Sequence, residues 1–474
     1  MDIPRLPFGK RLPQILMASL FLCMESSTAA PPADVQKSKP EVDVKEVLAR
    51  EIQRSKPDYI VYCPKSLDGS TYDTGNEHFL VFDGPDGSLM AVWTQSSYEG
   101  GGDHRVVFSR SEDNGKTWAA PARIVGPTHP GGGFIASWEF PLISKSGRIY
   151  ILYNQYQGIA DLAPTFTGTM DGVYSDDMGK TWSKPQTVPM PRSPYDHPDP
   201  KVPSNWIVWQ KPIRDLEGKY FTGFTRWVSK KVRHPPPEKS WTAWESVVEF
   251  MRFENIDDNP EVKDIQVTYS AWGKDALRVP HYEDPVLSIA QEPSLVRLPD
   301  DRLFCTMRTM TGYIWYSLSA DDGRTWCSPR PLLRRDHGLP ILQPICCCPI
   351  YEYSEGRYIL LHHNNNGRFE GCKPEETGKN RRPAYIALGE YRAHAEQPIW
   401  FSKSKVLMDN GGHRIGPLKR IDIGVYPSVT RRNGEFVLWH PERKFFLLGK
   451  KITEEWLADL SVPKSGKRPS SRKN

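Results

Sequence analysis

The segment from Gln291 to Arg308 brings together two side chains that could do chemistry. Its residues alternate in polarity on either side of a Leu-Pro-Asp-Asp turn, which predicts a strand, a tight turn and a second strand. Glu292 and Arg308 then lie at neighbouring strand ends, where a carboxylate can accept a proton and a guanidinium can bind an anionic group through two parallel N–H bonds. The same residues could form a plain cross-strand ion pair, so the spacing leaves both roles open.

Two other segments carry reactive groups. The run Gly100-Gly101-Gly102-Asp103 places a carboxylate on a glycine loop, where it could donate a proton to a leaving group or serve as a turn residue. Tyr426 lies in Gly424-Val425-Tyr426-Pro427-Ser428-Val429, ahead of a turn and a strand. Its phenol could act as a nucleophile or pack at the strand end.

Three copies of one motif indicate the scaffold that must position these groups. Each copy has the form Ser-x-Asp-x-Gly-x-Thr-Trp and follows a strand-like run; the copies begin at Ser111, Ser175 and Ser319. Asp accepts hydrogen bonds from amides of its own turn, Gly supplies a positive φ and Trp covers the hairpin end. Reuse of one such unit predicts a β-propeller of four-stranded blades. The motif aspartates are therefore expected to build turns and not to catalyse.

The chain ends differ from the rest of the sequence. Residues 1–30 combine basic residues, an apolar run and small residues up to Ala30, which predicts a signal peptide cleaved near Ala30 and export to the periplasm or outside the cell. Residues 31–58 are interpreted as a linker followed by a short amphipathic helix with Val44, Leu48 and Ile52 on one face. The propeller is expected over residues 59–459, and residues 460–474 as a basic disordered tail. The Pro- and Trp-rich stretch 230–284 is expected to be an irregular insertion beside the pocket.

Charge and composition exclude several classes of function. The formal net charge of +5 becomes −1 without the two ends, because residues 1–30 contribute +1 and residues 461–474 contribute +5. Nucleic-acid binding is therefore not indicated. No apolar run after residue 30 reaches the ~18 residues needed to span a bilayer, and no metal-ligand spacing or cofactor motif is present. Cys346, Cys347 and Cys348 lie in an apolar stretch and are expected to be buried thiols; the oligomeric state is left open.

The repeated turn resembles the Asp-box of the sialidase (neuraminidase) superfamily, and the resemblance extends from Gly75 to about Lys451. It implies an all-β fold, a six-bladed β-propeller. Because Asp-boxes mark this type of propeller and not its chemistry, activity has to be inferred from other residues.

The resemblance also implies catalytic roles. Sialidases are retaining glycosidases that use a tyrosine nucleophile, because the anomeric carbon of their substrate carries a carboxylate that would repel an anionic one. The segment around Tyr426 looks like the family's Tyr-x-Ser segment, which makes Tyr426 the nucleophile and Glu292 the group that takes its proton. Asp103, in the loop before the first Asp-box, is implied as the general acid.

The family binds the substrate carboxylate with three arginines, and the resemblance assigns two of them here. Arg308 is one, and Arg382 is preferred to Arg381 as the other because it abuts the following strand. The third is missing, since His78 stands in Glu77-His78-Phe79-Leu80 where the family has arginine. A neutral histidine offers one donor, so a charge-assisted bond of roughly 1.5–3 kcal/mol would be lost there.

These residues predict an exported, exo-acting, retaining glycoside hydrolase of sialidase type. Its substrate is expected to be a glycan or glycoconjugate with a terminal acidic sugar such as sialic acid, and no cofactor is expected. Two alternatives stay open: a non-catalytic propeller that binds acidic carbohydrate, and a hydrolase or lyase of another acidic polysaccharide on the same scaffold.

Overall fold

The computed structural model describes residues 43–233 and 244–464. Their strands form six antiparallel sheets, the blades of a six-bladed β-propeller, which confirms the predicted all-β fold. The predicted signal peptide (1–30), most of the linker and residues 465–474 of the predicted tail lie outside the described residues.

Strands are numbered in chain order, and β1 (Tyr59–Tyr62) belongs to the last blade. Blade 1 contains β2 (Gly75–Asp83), β3 (Leu89–Ser96), β4 (Arg105–Ser111) and β5 (Ala122–Val125). Blade 2 contains β6 (Ala136–Ile143), β7 (Ile149–Gln155), β8 (Thr169–Ser175) and β9 (Gln186–Val188). Blade 3 contains β10 (Trp206–Ile207), β11 (Ile213–Arg214), β12 (Tyr220–Trp227), β13 (Ser246–Phe253) and β14 (Val267–Ser270).

The remaining strands complete the ring. Blade 4 contains β15 (Gln291–Arg297), β16 (Leu303–Arg308), β17 (Trp315–Ser319) and β18 (Arg330–Pro331). Blade 5 contains β19 (Ile350–Ser354), β20 (Arg357–His362), β21 (Ala384–Tyr391), β22 (Ile399–Phe401) and β23 (Lys405–Met408). Blade 6 contains β24 (Ser428–Arg432), β25 (Glu435–Glu442) and β26 (Phe446–Ile452), and β1 pairs with β26. The ring is therefore closed by hydrogen bonds between the first strand and the last.

The stretch 230–284 is not an insertion as a whole. It supplies β13 and β14, and all eight residues of β13 are buried. Short 3-10 helices connect these strands to their neighbours, at Ile256–Asp258, Val262–Asp264 and Gly273–Asp275. The expected irregularity was inferred from Pro and Trp content, whereas the blade forms because Val247, Phe250 and Met251 bury their side chains.

The repeated motif forms the turn between the third and fourth strands of blades 1, 2 and 4. In blade 1 the Asp113 carboxylate accepts hydrogen bonds from the Thr117 backbone N–H (2.8 Å) and hydroxyl (2.6 Å), and the Ser111 hydroxyl accepts one from the Gly115 N–H (2.8 Å). The other two copies repeat these bonds at 2.6–2.9 Å. The aspartates therefore build turns, as the sequence predicts.

The motif also joins each blade to the one before it. The Trp118 ring meets Trp439 of blade 6 edge-on, with 5.8 Å between centroids. A Cβ added to Gly115, whose φ is +87°, would lie 2.6 Å from the Trp439 ring, so glycine is required both for the turn and for this close approach. The other copies make equivalent contacts, Trp182 with Phe108 and Trp326 with Phe250.

The predicted amphipathic helix is present as α1 (Val44–Ile52), followed by a 3-10 turn (Gln53–Ser55). Leu48 and Ile52 are buried against Phe445, Phe446 and other apolar residues at the start of β26. A second short helix, α2 (Glu454–Leu457), follows β26. Within the described ranges, no helix has the length and apolar character needed to cross a membrane.

Acidification is expected to weaken the attachment of α1. Glu51 accepts hydrogen bonds from Arg54 (2.6 Å) and from the buried Arg443 (2.9 Å). Burial raises the pKa of Glu51, but these hydrogen bonds outweigh it and hold the pKa at about 2, below the ordinary 4.5. Because the folded-state pKa is depressed, the stabilisation is fully present above pH 4.5 and is lost as the pH falls through about 2.

The measurement is the thermal midpoint of the wild type and of Glu51→Gln across this pH range. The variant is expected to melt below the wild type near neutral pH, and the difference should shrink as the pH approaches about 2. A difference that stays constant with pH contradicts the role of the Glu51 charge.

Candidate active site

A cavity of about 300 Å³ lies where the six blades meet. All six blades contribute to its lining, which places it on the propeller axis. The aromatic part of the lining consists of Trp138, Phe166, Trp227, Trp244 and Tyr426; the polar part consists of Glu77, His78, Glu99, His104, Thr165, Glu292, Thr377 and Arg420. A groove of about 660 Å³ on the rim, around Leu339 and Val462, is larger, but it lies away from the predicted site residues.

Four residues of this lining share an uncommon backbone conformation. His78, Trp138, Glu292 and Tyr426 have φ values of 54°, 58°, 48° and 48°. In blades 1, 2 and 4 the strand register shifts at the same place, which marks a bulge. A bulge changes the direction of a side chain relative to the regular alternation along a strand. A non-glycine residue in the left-handed backbone conformation costs about 1–3 kcal/mol of conformational free energy. Strain repeated at equivalent positions of four blades is typical of a functional site.

The structure brings Tyr426, Glu292 and Arg308 into direct contact. The Tyr426 hydroxyl donates to Glu292 Oε1 at 2.7 Å. Arg308 Nη1 donates to the same carboxylate oxygen at 2.6 Å and lies 3.3 Å from the Tyr426 hydroxyl. All three side chains are at most 3 % exposed. The phenol, a carboxylate that can accept its proton and a guanidinium cation are therefore within hydrogen-bonding distance of one another, in a region shielded from water.

The protonation of Tyr426 is controlled by its surroundings. Burial and the nearby Glu292 carboxylate raise the pKa of Tyr426 well above its ordinary value, while Arg308 and Arg381 act in the opposite direction. The phenol is therefore protonated at rest. It can become a nucleophile only if Glu292 takes the proton as the new bond forms, which is the coupling that general base catalysis provides.

The structure separates the two adjacent arginines. Arg381 is 3 % exposed, donates to the Ile345 carbonyl (2.7 Å) and interacts electrostatically with Tyr426 and Glu292. Its Nε has no partner among the residues described. Arg382, which sequence analysis preferred, instead forms a bidentate ion pair with Asp409 (3.0 and 2.9 Å). Neither arginine belongs to the cavity lining itself. Arg381 is thus the arginine next to the Tyr426–Glu292 pair.

Asp103 is also held apart from the cavity. Its Oδ2 accepts hydrogen bonds from the Ser97 backbone N–H (2.9 Å) and hydroxyl (2.7 Å), and the residue is fully buried. Gly100 and His104 line the cavity, but Asp103 between them does not. In this arrangement the carboxylate binds Ser97 at the base of the glycine loop and is not part of the cavity lining.

His78 lies in the cavity, against the nucleophile candidate. Its ring stacks on Trp138 with 3.2 Å between centroids and meets the Tyr426 ring edge-on at 5.5 Å. The residue is 2 % exposed, and burial, with Lys444 and His104 nearby, lowers the pKa of His78 well below its ordinary value. A neutral His78 cannot supply the charge of the arginine that the sialidase resemblance implies at this position.

Sequence analysis missed a group of charges beside Tyr426. Lys444 lies 4.9 Å from the centre of the Tyr426 ring and pairs with Glu99 (2.5 Å) and Glu77 (3.3 Å). Burial lowers the pKa of Lys444 to about 8. Lys444 lies in the turn between β25 and β26, where a basic residue is ordinary, so no local pattern distinguishes it.

The three consecutive cysteines are buried, as expected, and one of them contacts Tyr426. The Tyr426 backbone N–H donates to Cys347 Sγ at 3.1 Å. Cys346 Sγ lies 3.5 Å from His363 Nε2. Burial raises the pKa of Cys346, but contacts with Cys347, Arg381 and His363 outweigh it and lower the pKa. In the part of the chain that the structure covers, no group of three or more His, Cys, Asp and Glu side chains is arranged to hold a metal ion.

The fold and the buried Tyr–Glu–Arg cluster on the propeller axis define the class of protein as a sialidase-like six-bladed β-propeller. The family model described as "BNR repeat-like domain" matches residues 87–369. The chain belongs to this BNR repeat-like family. No curated protein matches the chain by sequence.

Solved structures share the fold at low sequence identity. The NanB sialidase from Streptococcus pneumoniae (K499G mutant) is 12 % identical, with a TM-score of 0.53 over 83 % of this chain and 69 % of that one. The intramolecular trans-sialidase from Ruminococcus gnavus is 14 % identical, with a TM-score of 0.52 over 82 % and 96 %. A protein of unknown function from Dyadobacter fermentans is 13 % identical, with a TM-score of 0.51 over 83 % and 96 %. At these identities the likeness shows the fold alone.

Proposed function

We propose that this protein is an exo-acting, retaining glycoside hydrolase that removes a terminal acidic sugar, such as sialic acid, from glycans or glycoconjugates. The observation that carries the proposal is the 2.7 Å hydrogen bond from the Tyr426 hydroxyl to Glu292, with Arg308 bound to the same carboxylate oxygen. We also propose export, on the strength of the signal-peptide pattern in residues 1–30.

In the proposed first step Tyr426 attacks the anomeric carbon while Glu292 takes the phenolic proton. The Arg308 guanidinium stabilises the developing phenolate, because it already lies 3.3 Å from the oxygen in a site without bulk water. The resulting glycosyl-tyrosine is then hydrolysed by water, and Tyr426 recovers its proton from Glu292. Two displacements at one carbon retain the anomeric configuration.

The cavity supports a single acidic sugar as the substrate. Its volume of about 300 Å³ is at the lower end of small-molecule sites, which suits one sugar unit at a chain end. Arg308 and Arg381, buried beside Tyr426 and Glu292, provide two cations for a carboxylate. Trp138 and Trp227 in the lining offer apolar surface to a sugar ring. Solved relatives of the fold include a sialidase and an intramolecular trans-sialidase, which supports sialosides as the first substrates to test.

The test is a screen of the purified protein against 4-methylumbelliferyl glycosides of sialic, glucuronic and galacturonic acids. We expect release of the fluorophore from at least one of them, and NMR of the first-formed sugar should show a retained anomeric configuration. An inverted product would contradict the tyrosine nucleophile. The screen also includes a uronate polysaccharide, because a lyase eliminates the sugar attached at C4 of a uronate within a chain. An unsaturated product that absorbs in the ultraviolet would identify a lyase instead.

A non-catalytic propeller that binds acidic carbohydrate is the second candidate. The observation that favours it is Asp103, whose carboxylate is hydrogen-bonded to Ser97 and is not part of the cavity lining. For this candidate the same screen gives no turnover, while calorimetry with free sialic or uronic acids detects binding that Arg308→Lys weakens.

A further inference from the structure

We propose that His78 is the proton donor to the leaving group, supplied through Thr94 from the buried carboxyl group of Glu139. This inference rests on the proposed function. His78 takes the role of general acid, which sequence analysis assigned to Asp103. The mechanism above does not use His78, Thr94 or Glu139, although all three are buried polar residues.

A continuous chain of hydrogen bonds connects the three residues. The Thr94 hydroxyl lies 2.7 Å from Glu139 Oε2 and 3.3 Å from His78 Nδ1. Glu139 and Thr94 are fully buried, and His78 is the member that lines the cavity. At the cavity end, His78 Nε2 has no hydrogen-bond partner among residues 43–233 and 244–464. Nε2 is buried and lies 3.7 Å from Glu77 Oε2. The chain of hydrogen bonds therefore runs from the interior of blades 1 and 2 to a nitrogen without a hydrogen-bond partner in the described ranges, on a residue that lines the cavity.

The Thr94 hydroxyl couples the ends of this chain. A hydroxyl has one proton and two lone pairs, and the Trp138 backbone N–H occupies one lone pair at 3.2 Å. If Glu139 is protonated it donates to Thr94, Thr94 donates to His78 Nδ1, and the histidine proton must be on Nε2. If Glu139 is ionised, Thr94 donates to it and accepts from Nδ1–H, which leaves Nε2 bare. The protonation of Glu139 thus sets the tautomer of His78.

The electrostatic surroundings favour the first state. Burial raises the pKa of Glu139 well above its ordinary value, although the bond from Thr94 opposes this. The same burial disfavours a charged imidazolium at His78. A relay in which one nitrogen loses a proton while the other gains one keeps the ring neutral, so it suits a histidine in this environment.

The proton balance of the reaction closes. As the glycosidic C–O bond breaks, its electron pair stays on the leaving oxygen, which takes the proton from His78 Nε2. Nδ1 takes the proton of Thr94, and Thr94 takes that of Glu139, which becomes a carboxylate. In the second step water gives a proton to Nε2 and the relay runs backwards, so Glu139 is protonated again as hydroxide adds to the anomeric carbon. His78 touches the substrate, whereas Thr94 and Glu139 act through it.

The tautomer of His78 can be measured without turnover. The other titratable groups facing His78 are Glu77, His104, Lys444 and Tyr426. Near pH 6, His104 (pKa about 4) is already neutral and Lys444 (pKa about 8) is still charged. In ¹⁵N-histidine-labelled protein, with His78 assigned from the missing signal of His78→Gln, we expect the proton on Nε2 at this pH. It should move to Nδ1 as Glu139 ionises at higher pH, and Glu139→Gln should abolish that change.

A leaving-group comparison then tests the catalytic role. An aryl leaving group needs little protonation and an alkyl one needs much, so loss of the relay should affect mainly the methyl glycoside. The ratio of kcat/KM for the 4-methylumbelliferyl to the methyl glycoside of one sugar is expected to rise about 10²-fold in Thr94→Val and Glu139→Gln. Thr94→Ser, which keeps the hydroxyl, should restore the wild-type ratio. Because both kcat/KM values are measured on the same preparation, their ratio does not depend on how much of the variant is folded.

The outcomes separate the relay from the proposed function. A His78 that keeps its proton on Nδ1 near pH 6, or a ratio unchanged in Thr94→Val, overturns the relay while hydrolysis by the wild type continues. Failure of the wild type to cleave any acidic glycoside defeats the proposed function instead, and with it His78 as an acid.

Discussion

Replacing Tyr426 by phenylalanine is expected to lower kcat by about 10³-fold or more while the protein still binds its acidic sugar. The change removes the phenolic oxygen that forms the glycosyl-enzyme bond in the proposed mechanism, together with its 2.7 Å hydrogen bond to Glu292. The ring and its contacts with His78 and Trp138 remain. Steady-state kinetics on the aryl glycoside found in the screen, with calorimetry on the free sugar, measures both effects.

The matched control is Tyr153→Phe. Tyr153 is a fully buried tyrosine of blade 2 whose hydroxyl has no partner in the described part of the chain, so its loss should leave kcat unchanged. Mass spectrometry of the wild type with a 3-fluoro acidic glycosyl fluoride should trap the sugar on Tyr426. Full turnover by Tyr426→Phe would refute the tyrosine nucleophile, and a sugar trapped on Glu292 would show that the carboxylate attacks directly.

The scaffold could be predicted because its determinants are local and repeated. The hydrogen bonds of each Asp-box connect residues no more than four positions apart, so Ser111 to Trp118 specify the turn by themselves. What the motif does between blades could not be predicted in this way. The contact of Trp118 with Trp439 joins residues from opposite ends of the chain and depends on closure of the ring.

The site was predictable only in part, because resemblance locates segments and not side-chain directions. Tyr426 and Glu292 are 134 residues apart, and the structure brings both into the cavity, where sequence analysis expected them. Adjacent residues of an extended segment point to opposite sides, so the choice between Arg381 and Arg382 depended on which one faces the axis. No sequence pattern predicts that Ser97 donates two hydrogen bonds to Asp103. The left-handed backbone at His78 and Trp138 is likewise not visible in the sequence.

Arg381→Lys is expected to lower kcat/KM by about 10²-fold, whereas Arg382→Lys should change it by less than about 3-fold. Lysine keeps the positive charge but replaces a planar fork of N–H donors by one ammonium, so the change tests bidentate binding of the substrate carboxylate. Arg381 is buried beside Tyr426 and Glu292, and its Nε has no partner in the described ranges. Arg382 already uses its fork on Asp409.

The two variants are matched, since they make the same substitution at adjacent positions. Kinetics on the acidic aryl glycoside should be compared with thermal midpoints, because Arg381→Lys also alters the bond to the Ile345 carbonyl.

A second experiment uses the substrate with its carboxylate reduced to a hydroxymethyl group. The wild type should lose affinity for this substrate, and Arg381→Lys should add little to that loss, because both changes remove the same interaction. If Arg382→Lys gives the larger loss, the carboxylate is bound towards Asp409 and the sequence-based assignment of Arg382 stands. The two Lys variants could instead lose kcat/KM equally, with each loss adding in full to the loss caused by the reduced substrate. That result would mean that neither Arg381 nor Arg382 contacts the carboxylate, and that Arg308 binds it alone.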